Sequence, residues 1–259
     1  MADGIYKFFK IANPLMEDIS LNKIDVVILA GGKGCRLYPL TKDKPKPLVE
    51  VGNIPVIDHI VRYFAYFGLK NIKILVGHKG DVIKKYFRHS LKETDVAVEC
   101  INTGEESDTA ERLWQIRKEM SERFILSYSD VLHNINLIDE IKLHIDKRKI
   151  GTMGVVPLRT PYGILKVDDN NIAVNYLEKP ILYDHWMNCG LFIFEKAVFD
   201  YWDWTDKDFS KGMLVKLAQI SQLAGYKHNG FWSGMDTVRE NEILNDLWEK
   251  NEAEWAIWK

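Results

Sequence analysis

Ile24-Asp-Val-Val-Ile-Leu-Ala30 is a short run of mainly apolar and β-branched residues that stops at Gly31-Gly32. Such a run predicts a strand buried on both faces, as in a parallel sheet. A helix is expected next, because apolar residues recur at helical spacing after Pro55, and Gly68 stands where a C-cap glycine belongs. The apolar segment 72–76 predicts a second strand. The chain therefore begins its fold as strand, loop, helix and strand.

The alternation of strands and helices continues as far as Asp130. The sequence predicts a helix near residues 79–89, a strand over 96–101, a helix over 109–120 and a strand over 124–129. This order is typical of an α/β fold with right-handed crossovers. We therefore expect a doubly wound, mostly parallel, Rossmann-like sheet with helices on both of its faces.

After residue 150 the pattern becomes richer in strands. No repeat or Pro/Ser-rich linker separates this part from the first, so we expect one domain over 24–259, preceded by an extension over 1–22. Its two parts would meet near residue 150. In the second part the sequence predicts a strand over 152–158, a hairpin of 163–167 and 172–177, a strand over 190–194, and helices near 210–224 and 238–250.

The composition limits the classes of function. The chain has 259 residues, of which 46% are hydrophobic and 28% charged, and its net charge is −2, so no bulk field would hold nucleic acid or an anionic membrane. Any anion must be bound locally. Three widely separated cysteines predict neither disulfides nor a zinc cluster and fit a reducing cytoplasm. Neither a secretory leader nor a membrane-spanning segment is expected.

The glycines that follow the first strand form a candidate phosphate cradle. Gly31, Gly32 and Gly34 would let backbone N–H groups approach a phosphate at the carboxyl edge of the sheet. The loop is not a Walker A motif, because Gly34 is followed by Cys35-Arg36, nor a dinucleotide fingerprint, because Leu37 takes the place of the third glycine. Glycines alone would equally suit an ordinary turn with solvated cations.

Two cations close to this loop favour the phosphate interpretation. Lys46 stands between Pro45 and Pro47, which restrict its backbone to an extended approach. Arg36 has a planar guanidinium that can hold two phosphate oxygens, whereas a lysine supplies a compact point charge. Together these residues suit a triphosphate.

The same residues resemble the signature of the sugar-phosphate nucleotidyltransferases, a Gly-Gly-x-Gly-x-Arg-Leu loop followed by Pro-Lys-Pro. The match is complete in Gly31–Leu37 and Pro45–Pro47. The resemblance covers roughly residues 24–258, and its tail is most similar to the glucose-1-phosphate cytidylyltransferases of that family. Further matching segments are Glu178-Lys179-Pro180, Trp186-x-Asn188-x-Gly190, Gly230-Phe-Trp232, Met235-Asp236-Thr237, Leu247-Trp248-Glu249 and Trp255-x-x-Trp258.

The resemblance implies condensation of CTP with a sugar 1-phosphate to a CDP-sugar and pyrophosphate, in a homo-oligomer that uses Mg²⁺. Residues 24–150 would bind the nucleotide, and a small β-rich subregion within 151–259 the sugar. Arg36 would hold the β- and γ-phosphates, Lys46 the α-phosphate and Lys179 the sugar phosphate. The remaining implied residues are Ala30, Gly31, Gly32, Gly34, Cys35 and Arg112 for the nucleotide, Gly163, Glu178, Asn188 and Gly190 for the sugar, and Asp130 and Asp236 for the metal.

The sequence also departs from the family pattern. Cys35 replaces the usual threonine, and Ala110-Glu111 replace two glycines. Cys189 stands within the sugar segment. These changes leave open UTP or dTTP in place of CTP and another phosphorylated or phosphonate acceptor. A separate alternative is a catalytically silent regulator that binds nucleotide sugars, but retention of Arg36, Lys46, Lys179, Asp130 and Asp236 speaks against it.

Overall fold

The computed structural model describes residues 21–90, 95–202, 204 and 206–259. Most of the extension predicted over 1–22 lies outside these residues. The elements in chain order are β1 (Asp25–Ala30), β2 (Glu50–Val51), β3 (Ile54–Pro55), α1 (Val56–Tyr66), β4 (Asn71–Val76), α2 (Gly80–His89), β5 (Ala97–Asn102), α3 (Thr109–Ile116), β6 (Arg123–Tyr128), β7 (Val131–His133), α4 (Leu137–Lys147), β8 (Gly151–Arg159), β9 (Ile164–Val167), β10 (Ala173–Leu177), β11 (Ile181–Glu195), α5 (Val215–Gln219), β12 (Leu223–Lys227), β13 (Trp232–Gly234) and α6 (Val238–Glu249).

A seven-stranded sheet in the order β12-β8-β11-β6-β1-β4-β5 forms the centre of the molecule. All of its strands run in one direction except β11, which pairs antiparallel with both β6 and β8. The predicted mostly parallel α/β sheet is therefore confirmed. The carboxyl ends of β1, β4, β5 and β6 meet at one edge, where an open α/β sheet binds its ligands.

Helices cover both faces of the sheet, as the sequence predicts. Successive residues of β1 point to opposite faces, so Val26 and Ile28 pack with α1, α4 and α6, whereas Val27 and Leu29 pack with α3 and α5. Every residue of β1 is buried. This explains why its sequence is a continuous apolar run and not an alternating one. Within the described residues, none of the helices combines the length and apolar character that crossing a bilayer requires.

Two predicted elements in the second part have different bounds in the structure. The helix expected over 210–224 is a π-helical turn (Ser210–Leu214) followed by the short α5, and the chain then turns through Ser221, whose φ is 55°, into β12. The prediction of a helix as far as residue 224 was wrong because β12, which begins at Leu223, is a short edge strand that contains Gly225 and carries little strand pattern. The strand predicted over 190–194 lies near the end of β11. This strand has 15 residues and pairs with β8, and the register of the pairing shifts at two places.

Candidate active site

A cleft of about 390 Å³ opens at the carboxyl edge of the sheet. Its walls come from the glycine loop after β1, from the segment between β5 and α3, and from the residues that follow β6. Ala30 ends β1 beneath the loop and does not line the cleft. Predicted residues that do line it are Gly31, Gly32, Gly34, Cys35, Arg36, Lys46, Arg112, Asp130 and Asp236.

Four charged side chains meet in this cleft. The Lys46 Nζ lies 2.5 Å from Asp130 Oδ2 and 2.5 Å from Asp236 Oδ1. Arg36 Nη2 donates to the same Asp236 oxygen at 2.8 Å. Two cations and two carboxylates therefore balance one another, although they come from segments up to 200 residues apart. The structure brings together the two predicted catalytic cations and the two predicted metal ligands.

The position of Lys46 follows from the backbone around it. Pro45 is extended, and Lys46 begins a single 3₁₀ turn with Pro47, so prolines restrict the chain on both sides. Gly34 has a φ of 64°, and a Cβ there would come within 2.7 Å of the Lys46 Cβ. A side chain at residue 34 would thus displace the lysine. The Gly-x-Arg and Pro-Lys-Pro segments are parts of one packed unit.

A two-stranded ribbon positions both aspartates. β7 and β13 pair antiparallel, with Val131 opposite Gly234. Asp130 and Met235 extend the ribbon by one hydrogen bond, from Met235 N to Asp130 O at 2.8 Å. Asp236 follows directly, so its carboxylate and that of Asp130 leave the same end of the ribbon. Sequence analysis missed both strands, because three-residue strands carry too little pattern to detect.

Arg112 holds together the side of the cleft that carries the glycine loop. Its guanidinium donates to five acceptors, the closest being Thr103 Oγ1 at 2.7 Å and the Gly104 carbonyl at 2.8 Å. The others are the carbonyls of Val76, Gly31 and Glu105. Burial lowers the pKa of this guanidinium from its ordinary value.

These acceptors tie the ends of β1, β4 and β5 to one buried side chain. The Arg112 residue is only 4% exposed, and four of its five acceptors are backbone carbonyls. Arg112 thus reaches the cleft, as predicted, but the structure gives it the role of a brace for the glycine loop. Direct contact with a nucleotide stays a prediction.

The wall between β5 and α3 carries an acidic residue, Asp108. Asp108 lines the cleft and caps α3, accepting a hydrogen bond from the Thr109 N–H at 2.7 Å. Glu111 completes the capping box by accepting from the Asp108 N–H at 3.0 Å. These carboxylates satisfy the first N–H groups of the helix and oppose its positive end. The helix N-terminus is thus capped by the protein's own side chains and is not left open for a phosphate.

The predicted sugar residues lie outside the lining of the cleft but are not all remote from it. Asn188 Nδ2 donates to the hydroxyl of Tyr128, which does line the cleft, at 3.4 Å. Asn188 Oδ1 accepts from the Gly190 N–H at 2.7 Å, and a Cβ at Gly190 would come within 2.9 Å of the Tyr128 ring. Asn188 and Gly190 therefore support one wall of the cleft from behind.

Tyr128 is a site residue that the sequence analysis did not select. Its hydroxyl is also 3.0 Å from Ser210 Oγ, and burial raises the pKa of the phenol above its ordinary value. Tyr128 lies on the same face of β6 as the buried Phe124 and Leu126, because alternate residues of a strand point the same way. That spacing, followed by Asp130 at the strand end, was the signal that could have identified it.

The other predicted sugar residues lie on the β9–β10 hairpin, which projects from the end of β8 at the same edge of the sheet. Lys179 follows the hairpin and is 66% exposed, and its ammonium is 3.9 Å from the Glu178 carboxylate. Glu178 accepts a hydrogen bond from the Tyr176 hydroxyl. A Cβ at Gly163 would collide with that same hydroxyl. The structure does not bring Lys179 to Arg36 and Lys46.

The donor set of the cleft fits Mg²⁺. In the part of the chain that the structure describes, no three His, Cys, Asp or Glu side chains converge as a complete metal site. Asp130 and Asp236 supply two hard carboxylates with a solvent-accessible cleft beside them. Mg²⁺ is commonly held by one or two carboxylates together with water and substrate phosphates. A calcium cage or a zinc site would need more ligands from the protein.

Comparisons with known proteins agree with this geometry. The family model described as nucleotidyl transferase matches residues 25–245. The glucose-1-phosphate cytidylyltransferase of Salmonella typhi is 32% identical over 255 residues, which cover 90% of this chain and 99% of the relative. A mannose-1-phosphate guanyltransferase beta-A of Xenopus laevis is 29% identical over 228 residues, covering 85% of this chain and 63% of that protein.

A solved structure supports the fold. The crystal structure of HddC from Yersinia pseudotuberculosis complexed with GMP-PN superposes with a TM-score of 0.66 at 20% identity. The match covers 87% of this chain and 99% of HddC. At 20% identity this similarity is evidence for the fold alone, that is, for the arrangement of helices and strands.

Proposed function

The chain belongs to the nucleotidyl transferase family, among its sugar-1-phosphate nucleotidyltransferases, and we propose that it condenses CTP with a sugar 1-phosphate to a CDP-sugar and pyrophosphate. The observation that carries this proposal is the meeting of Arg36, Lys46, Asp130 and Asp236 in one cleft. Two phosphorylated reactants repel each other, so the enzyme must supply fixed cations where they meet. This cleft has them.

The reaction requires charge neutralisation and in-line positioning. An oxygen of the sugar phosphate attacks the α-phosphorus of the triphosphate, the bond from that phosphorus to the bridging oxygen breaks, and pyrophosphate leaves. Lys46 would bind the α-phosphate and stabilise the charge that develops on it. Arg36, exposed at the cleft mouth, would bind the departing β- and γ-phosphates with its planar guanidinium. The glycine loop would add backbone N–H donors.

Asp130 and Asp236 would hold Mg²⁺. When bound, the ion supplies positive charge that neutralises the phosphate oxygens. On the sugar side, Lys179 would bind the sugar phosphate and Glu178 the sugar hydroxyls, with Asn188, Gly190 and Gly163 shaping the pocket. The location of the hairpin at the cleft edge of the sheet supports this assignment.

Asp108 supports cytosine as the base. With the triphosphate at Arg36 and Lys46, the base would occupy another part of the same cleft, whose wall includes Asp108. A carboxylate accepts hydrogen bonds only, so it favours the amino group of cytosine and disfavours the carbonyl oxygen that uracil and thymine carry at the same position. Relatives that are cytidylyltransferases at 32% identity favour the same base.

A panel of CTP, UTP, dTTP and GTP against several sugar 1-phosphates and a phosphonate acceptor tests the proposal. Release of pyrophosphate is the readout, and CTP should give the highest kcat/KM. A chain that binds nucleotide sugars but releases no pyrophosphate with any pair would be the silent regulator. A preference for UTP or dTTP would keep the reaction and change the substrate.

Asp108→Asn should weaken the preference for CTP over UTP by about ten-fold, the loss expected when a carboxylate that repels the uracil oxygen becomes an amide able to donate to it. Asparagine is a good N-cap residue, so α3 should keep its cap. Binding of CTP and UTP is measured by calorimetry, without turnover. Glu106→Gln is the matched control, since Glu106 is an exposed neighbour paired with Lys33 and should leave the ratio unchanged.

The cytoplasmic location and the homo-oligomer remain part of the proposal. Exposed apolar side chains on the β9–β10 hairpin, among them Leu165, Ile172 and Val174, support an association between copies. Light scattering on the purified chain would measure the assembly.

A further inference from the structure

Lys46 occupies the place between the two carboxylates that are proposed to hold metal. Its ammonium is 2.5 Å from an oxygen of Asp130 and 2.5 Å from an oxygen of Asp236, and the Lys46 side chain is 12% exposed. Arg36 contacts the same oxygen of Asp236 at 2.8 Å. One oxygen of each carboxylate is thus already in contact with the protein's own cations.

A divalent cation and this ammonium cannot easily share the site. Both would lie within a few ångströms of the same carboxylate oxygens, and their mutual repulsion would be poorly screened in a partly enclosed cleft. Two carboxylates are also few ligands for Mg²⁺, which retains water or takes phosphate oxygens for the rest. In the nucleotide-free cleft each carboxylate is therefore already paired with a cation, and the protein offers few ligands to a metal.

A triphosphate would remove both obstacles. The Lys46 backbone is restricted by Pro45 and Pro47, but its long side chain retains rotatable bonds beyond Cβ. An α-phosphate in the cleft offers the ammonium new anionic oxygens, and the phosphate chain offers the metal additional ligands. Movement of the ammonium from the carboxylates to the phosphate would free Asp130 and Asp236.

We infer that Lys46 is a resident counter-ion of the Asp130–Asp236 pair, which keeps divalent metal out of the cleft until a nucleotide is bound. This inference rests on the proposed function, because it uses the assignments of Lys46 to the α-phosphate and of the two aspartates to the metal. The inference adds that the Lys46 side chain first pairs with the two aspartates and then, when nucleotide binds, with the α-phosphate. Metal and nucleotide would then bind with positive coupling.

The test measures Mn²⁺ binding to the nucleotide-free full chain by the electron paramagnetic resonance signal of free Mn²⁺. Lys46→Met removes the charge and keeps a long side chain, so it should bind Mn²⁺ roughly ten-fold or more tightly than the unsubstituted chain. Lys46→Gln should do the same, and it serves if the methionine variant does not fold. In Lys46→Met, the additional change Asp236→Asn should abolish the gain.

Lys44→Met is the matched control. Lys44 is two residues away and pairs with Glu50 at 2.9 Å, outside the cluster, so this variant should bind Mn²⁺ like the unsubstituted chain. Equal Mn²⁺ affinity in Lys46→Met, Lys46→Gln and the unsubstituted chain would overturn the inference. The measurement needs no turnover, so absence of pyrophosphate release with every substrate pair would count against the proposed function alone.

Discussion

On the nucleotide side of the site, the Lys46 side chain is 12% exposed and its ammonium contacts two carboxylates at 2.5 Å. On the sugar side, the Lys179 side chain is 66% exposed, and the one ion pair recorded for it among the described residues is with Glu178, at 3.9 Å. The two lysines are proposed to bind phosphates of the two reactants. Their surroundings nevertheless differ greatly.

The difference shows which half of the reaction this fold prepares in advance. The nucleotide side is preorganised by buried groups, namely Arg112 beneath the glycine loop and the β7–β13 ribbon beneath the aspartates. The sugar side is an exposed hairpin whose polar groups interact mainly with one another. Preorganised charge contributes most to lowering a barrier, whereas a solvated charge contributes mainly to binding. Mutations on the two sides should therefore affect different kinetic constants.

The largest effect is expected from Lys46→Ala. Loss of this cation should lower kcat by roughly 10²-fold or more, because its charge is proposed to act on the α-phosphate in the transition state. Pyrophosphate release measures the rate, and circular dichroism checks the fold. Lys44→Ala, which removes an exposed lysine from the same segment, should have little effect. A near-normal kcat in Lys46→Ala would remove this lysine from the mechanism.

A pair of glycine substitutions tests the rigidity of the nucleotide side. A Cβ at Gly31 would lie 2.2 Å from the Arg112 guanidinium carbon, so Gly31→Ala should lower the free energy of unfolding by about 2 kcal/mol. Gly32 has no neighbour within 4 Å of such a Cβ, and Gly32→Ala should stay within about 0.5 kcal/mol of the unsubstituted chain. Urea denaturation measures both. Equal stabilities would show that Arg112 does not brace the loop.

The smallest effect is expected on the sugar side. Lys179→Ala should raise the KM for the sugar 1-phosphate by about ten-fold, the loss expected for one hydrogen bond to a charged group, and leave the KM for the nucleotide unchanged. Lys166→Ala, an exposed lysine on the same hairpin, is the control. If Lys179→Ala lowered kcat as much as Lys46→Ala does, the proposed difference between the two sides of the site would be wrong.

The sequence predicted the central sheet well because its strands are buried on both faces. A continuous apolar run such as 24–30 has few other interpretations when a glycine loop and an amphipathic helix follow it. The prediction was poorest at β12, a short edge strand, and β11 was found only in part because its first residues extend beyond the apolar core. Edge and partly exposed strands lack the pattern that burial imposes.

The candidate site could be predicted by residue type but not by arrangement. Motif resemblance selected Lys46, Asp130 and Asp236, yet nothing in their spacing indicates that they touch. Their contact depends on the β7–β13 ribbon, whose strands are too short to recognise. The bracing role of Arg112 could not be predicted either. Most of its hydrogen-bond acceptors are backbone carbonyls at the ends of three strands, and because every residue carries a carbonyl, the sequence does not mark them.

Trp232 connects β13 to the segment 188–190. It lies on β13, four residues before Asp236, and its Nε1 donates to the Cys189 carbonyl at 2.8 Å, between Asn188 and Gly190. If residues 188–190 shape the acceptor pocket as proposed, a change that enlarges it would also act on β13 through this indole. In the proposed site, acceptor range and metal affinity would therefore change together. A variant selected for a bulkier acceptor is therefore expected to acquire a compensating substitution on β13.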